Sequence, residues 1–80
     1  MHELGVLHQI AKTVNRIAEE KVIPSVKHIV IEVGEASGFV PQYLTRLYPI
    51  AAEAYNRLKN TELKINIVPG NRLLIKEIGY

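Results

Sequence analysis

"VKHIVIEVG", residues 26–34, is the stretch that decides the fold class. In an extended chain Ile29, Ile31 and Val33 fall on one side, and His28, Val30 and Glu32 on the other, because successive side chains of a strand alternate faces. The stretch reads as a strand with one buried and one mixed face. Upstream, Leu4, Leu7, Ala11, Val14, Ile17 and Ala18 recur at helical spacing with Ile10 beside them, while Lys12, Arg16, Glu19 and Glu20 lie off that stripe. That pattern predicts an amphipathic helix over 3–20. Pro24 and Ser25 end the connection between the two.

Downstream, "GEASG" at 34–38 reads as a loop. Pro41 suits the first turn of a helix, its φ being already set. Leu44, Leu47, Tyr48, Ala51, Tyr55 and Leu58 follow at helical spacing. Pro49 interrupts them, and proline inside a helix costs roughly 3 kcal/mol unless the helix bends. The spacing therefore predicts either one kinked helix over 41–59 or two short ones. "ELKINIV" at 62–68 alternates with Leu63, Ile65 and Ile67 on one face. "RLLIKEI" at 72–78 alternates less cleanly, with Leu74 and Lys76 on one side and Leu73, Ile75 and Glu77 on the other.

The order α-β-α-β-β predicts an α+β fold, a three-stranded mixed sheet with two helices packed on one face. A strand-helix-strand passage favours parallel pairing through a right-handed crossover. The last two strands, joined by "PGN", read as a hairpin. The join suits that role poorly, because an L-Pro-Gly turn is of type II and splays the strands. Two helices cover only one face of such a sheet, so the other must be polar or used by a partner.

Eighty residues make one domain, here 1–80. A hydrophobic fraction of 48% supports a packed core. There is no Cys, which excludes disulfides, thiolate nucleophiles and Cys-type zinc sites and fits a reducing compartment. No apolar run approaches a membrane span, and "MHELG" lacks the basic start of a secretory signal. The expected location is cytoplasmic, with no membrane partner. A net charge of +2 from scattered Lys and Arg is a solvated surface rather than a nucleic-acid footprint. No Ser-His-Asp or paired-carboxylate pattern is present: Glu19 and Glu20 are consecutive and face apart on a helix. The glycine spacing of "GEASG" is wrong for a phosphate loop. The chain does not read as an enzyme.

The N-terminus carries the chemistry. A free α-amine at Met1, the next backbone amide nitrogen and the His2 imidazole can form fused chelate rings on one metal ion. A deprotonated amide favours square-planar geometry, which selects Ni(II) or Cu(II) over tetrahedral zinc. A helix start makes such amides cheap to donate, since its first N–H groups have no intrahelical partner. The Glu3 amide or carboxylate could complete the plane. The positive end of the helix dipole opposes a cation, and deprotonated amides offset this with negative charge. The alternative is a solvated His2 with Glu3 as ordinary dipole compensation. His8 lies six positions after His2, poor helical spacing for a shared site, and His28 lies in a strand.

With "MHELG", "IVIEVGEASGFVP", "LYPIAAEA", "ELKINIVPGN" and "RLLIKEI" in the same order over nearly the whole chain, the sequence strongly resembles the HypA/HybF family. These are nickel metallochaperones for maturation of [NiFe] hydrogenase and, in some organisms, urease. The resemblance implies an α/β domain holding Ni(II) through the Met1 amine, the His2 imidazole and the backbone nitrogens of His2 and Glu3. It implies a nickel-delivering HypB-type GTPase and the hydrogenase large subunit as partners. The family inserts a zinc domain with two CxxC pairs between the strands that read here "ELKINIVPGN" and "RLLIKEI". With no Cys, that module is expected to be excised near 70–72, and no zinc is expected. Gly5 stands where Ser is common in the family, adding flexibility at some helical cost.

Two classes of function follow: a carrier of one Ni(II) at Met1, His2 and Glu3, or an interaction module that recognises a maturation GTPase or hydrogenase subunit without metal. An uncovered sheet edge or face invites a homodimer, and monomer and dimer both stay open.

Overall fold

A computed structural model describes residues 2–80. Helix α1 spans Glu3–Glu20, strand β1 His28–Gly34, helix α2 Pro41–Ala52, strand β2 Glu62–Val68 and strand β3 Leu73–Gly79, with a short 3-10 turn at Asn56–Leu58 before β2. The sheet order is β2-β1-β3. The quoted stretch is thus the central strand. It pairs with β2 in parallel, Ile29 facing Leu63 and Val33 facing Ile67. It pairs with β3 antiparallel, His28 facing Gly79 and Val33 facing Leu73.

The expected fold class holds: an α+β domain with a three-stranded mixed sheet and two helices on one face. Ile29, Ile31 and Val33 are buried with Leu7, Ile10, Ala11 and Val14 of α1 and Leu44, Tyr48 and Ala51 of α2 in one core. Fully burying one such Ile or Leu contributes about 1.5–3 kcal/mol. The core stripe of α1 centres on Leu7, Ile10, Val14 and Ala18, while Leu4 is exposed and Ile17 half-buried. The α2 pattern resolves as two short helical pieces. The helix runs one turn past Pro49 and stops at Ala52, and the 3-10 turn carries Leu58 back into the core.

The hairpin expectation is overturned. β2 and β3 do not pair; they flank β1 on opposite sides. The link between them passes over the C-terminal end of β1. There the Gly34 N–H donates to Arg72 O at 2.6 Å, and the N–H groups of Glu35 and Ala36 donate to Val68 O and Gly70 O at 2.8 Å each. A Cβ on Gly34 would collide with Gly70 O and lie 2.8 Å from Arg72 N, so only glycine admits the crossing chain. The type II twist that splays a hairpin is no defect in a link that has to step across a strand.

β3 also departs from simple alternation. A register shift opposite Val30 and Ile31 leaves Lys76 as an extra residue. The bulge moves Glu77 to the open face opposite Val30 and returns Ile78 to the core side opposite Ile29. α1 ends in a two-bond Schellman arrangement, Ile23 N–H to Ala18 O and Val22 N–H to Glu19 O. This puts Val22 at φ 57°, the left-handed region, with its side chain in solvent.

Candidate metal centre

His2 is the N-cap of α1, at φ −99° and ψ 57°, and its side chain makes no capping hydrogen bond. The first intrahelical bond runs from Val6 N–H to His2 O at 3.1 Å. The amides of Glu3, Leu4 and Gly5 precede it and have no carbonyl of the helix to donate to. The His2 side chain is exposed. The local sequence thus produces an imidazole with no capping bond beside backbone nitrogens that no helical carbonyl claims. Met1, the first expected ligand, lies outside the described residues.

Glu3 plays a part that the sequence did not reveal. Its side chain is buried at 5% exposure, and Oε2 accepts a hydrogen bond from Val40 N–H at 3.1 Å. Val40 is the N-cap of α2, so one carboxylate ties the start of α1 to the start of α2. That hydrogen bond is the main cause holding the Glu3 carboxyl below the ordinary glutamate value; its own N–H and the charge of His2 act the same way, against partial desolvation. Sequence separation hid this contact, since Val40 is 37 positions away.

The other histidines stay apart. His8 is exposed on α1. His28 lies on the open sheet face over Gly79, its Nε2 2.9 Å from Glu77 Oε2. That bond is the first cause drawing the Glu77 carboxyl down. Lys76 Nζ and Glu32 Oε2, 3.6 Å apart, make a second pair on the same face. The face that the helices leave uncovered is therefore charged and paired. Among the described residues no three His, Asp or Glu side chains converge on a point that could hold a metal ion. No described helix is long and apolar enough to cross a membrane.

The family model described as "Hydrogenase/urease nickel incorporation, metallochaperone, hypA" matches residues 1–73. A comparison with curated proteins gives no significant match. Among solved structures, the solution structure of the Ni metallochaperone HypA from Helicobacter pylori matches with a TM-score of 0.78 at 15% identity. The match covers 96% of this chain and 72% of that one. At that identity the likeness speaks for the fold.

Proposed function

Because the chain belongs to the HypA family of hydrogenase/urease nickel-incorporation metallochaperones, we propose that it binds one Ni(II) at its N-terminus and delivers it for maturation of [NiFe] hydrogenase or urease. A metallochaperone carries its metal as cargo and is not an enzyme. The ligands are the Met1 amine, the His2 imidazole and the backbone nitrogens of His2 and Glu3. Together they form fused chelate rings in a plane, the geometry that suits Ni(II). The observation that carries this reading is the start of α1: an exposed His2 imidazole with no capping bond, followed by an amide that precedes the first helical hydrogen bond. Metallating that amide breaks no bond of the helix.

Residues 70–72 mark the place from which the zinc module is excised, and nickel binding proceeds without zinc. Supporting this, the chain has no Cys and covers 72% of the Helicobacter pylori chain. The recipient is a HypB-type GTPase or a hydrogenase large subunit, met in the cytoplasm. The test is a Ni(II) titration of the native chain beside His2→Ala and a variant extended at the N-terminus. Both changes should abolish a one-equivalent site, and equal binding by native and extended chains would refute it.

A second reading, recognition of a maturation partner without metal, is favoured by one feature. The open sheet face presents His28, Glu32, Lys76 and Glu77 in pairs. Titration with the GTPase separates the two: binding that survives His2→Ala is recognition rather than metal loading.

A further inference from the structure

The two outer strands of the sheet are not equivalent. β3 carries the bulge at Lys76, and bulges and charges turn a sheet edge away from further pairing. β2 has no such bulge, and its charges are Glu62 and Lys64 on the open face. Its seven residues run against β1 without a register shift, it contains no Pro, and its helix-facing Ile67 is 53% exposed. Beside it lies an open groove of about 470 Å³ between β2 and α2, lined by Pro41, Gln42, Thr45, Arg46, Ile65 and Ile67. Arg46, the charged residue of that lining, sits over the Tyr43 ring of its own helix at 6.0 Å.

The backbone polarity of β2 is fixed at both ends. Glu62 N–H donates to Lys27 O at 3.0 Å, and Val68 O accepts from Glu35 N–H at 2.8 Å. In a regular strand the N–H and C=O of one residue point to the same side, and alternate residues point to opposite sides. Glu62, Lys64, Asn66 and Val68 therefore turn their backbone groups toward β1. Leu63, Ile65 and Ile67 turn theirs to the free edge.

We propose that the β2 edge pairs with the β2 edge of a second copy of this chain, antiparallel about a two-fold axis at Ile65, joining two sheets into one. This axis sets Ile65 opposite itself and Leu63 opposite Ile67 of the second copy. Every outward-pointing residue then meets an outward-pointing residue, and each such pair exchanges two backbone hydrogen bonds. No donor or acceptor on the edge is left over within the strand. On the open face Lys64 meets Asn66 and Glu62 meets Val68, so no like charges stand directly opposed. Neighbouring registers are worse. An axis at Lys64 sets two ammonium groups opposite each other and shortens the match. An axis at Asn66 shortens it too and brings Leu63 against Pro69, which has no N–H. On the helix-facing side the pairing buries both copies of Ile67 against Leu63 and covers the groove. The surface is self-complementary in hydrogen bonding, apolar contact and charge, which is what a two-fold interface requires.

The pairing uses no metal, so it is tested on metal-free protein and its outcome is independent of nickel binding. Light scattering across a concentration series reads the mass. The native chain should have the mass of two chains. Ile67→Lys places a charge in the seam, and Ile67→Pro removes one outward donor while leaving every bond to β1; each should raise the dimer dissociation constant by about tenfold or more. Leu74→Lys, on the edge of β3, should leave it unchanged. Amide exchange in the native chain gives a second reading that needs no variant. The N–H groups of Leu63, Ile65 and Ile67 should exchange more slowly as concentration rises. A single-chain mass at the highest soluble concentration overturns the proposal. So does a dimer indifferent to both Ile67 variants, or exchange at those three amides that does not depend on concentration.

Discussion

Replacing Gly34 by Ala should be among the most damaging small changes available in this protein. The added Cβ would stand 2.8 Å from Arg72 N and collide with Gly70 O. An ordinary carbon contact needs about 3.5 Å or more, so the crossing link must lift by more than half an ångström. Both obstacles are backbone, and no side chain can rotate away. The lift strains the bonds that fasten the link, Gly34 N–H to Arg72 O and Ala36 N–H to Gly70 O. Overpacking costs about 1–3 kcal/mol, and each weakened bond adds up to about 1 kcal/mol. A loss near 3 kcal/mol is expected, against a total of roughly 4–12 kcal/mol at about 0.05–0.15 kcal/mol per residue. For a domain of this size the midpoint should fall by roughly 12–24 °C. Thermal unfolding followed by circular dichroism reads this directly. A fall of less than about 4 °C, under about 1 kcal/mol, would refute the close crossing of the link over β1.

The other expectations are smaller. Val22→Gly should raise stability by roughly 0.5–1 kcal/mol, because Val22 holds a left-handed φ with its side chain in solvent and glycine removes that cost; a urea midpoint checks it. The nearest atoms a Gly79→Ala methyl would meet belong to the His28 ring, a side chain that can turn away, so it should cost about 1 kcal/mol, less than Gly34→Ala, while separating His28 from Glu77. Glu77 is held below the ordinary glutamate value by that partner. Its contribution is present above the ordinary value and is lost as pH falls through the lowered one. Glu77→Gln should therefore flatten the loss of stability below about pH 4.5, modestly, since the side chain is 59% exposed. Glu3→Ala should speed hydrogen exchange at the Val40 amide, which loses its acceptor; an unchanged rate would show that the two helix starts are not tied there.

The central strand was legible because its alternation from His28 to Val33 is strict and its apolar side points into the core. Both helices were legible from their stripes. The phase of α1 was less so, since Leu4 and Ile17 fit the same 3.6-residue period as Ile10 and only packing decides among them. The neighbour of β3 was not legible. Local pattern reports that a strand exists, whereas its partner depends on where the link can run, and Gly34 makes the route over β1 passable. The displaced Glu77 shares this origin, because a bulge at Lys76 has no signature in alternation alone. At the N-terminus His2 was legible from covalent chemistry, which needs no tertiary contact. The grip of Glu3 on Val40 was not, because it joins residues that only the fold brings together.

The most direct test of the central claim is a Ni(II) titration of the chain with a free N-terminus, followed by visible absorption, beside His2→Ala. The account predicts a weak d–d band that saturates at one equivalent in the native chain and is absent from the variant, the signature of a square-planar terminal site. No band in the native chain, or the same band in both, would contradict nickel binding through Met1, His2 and Glu3.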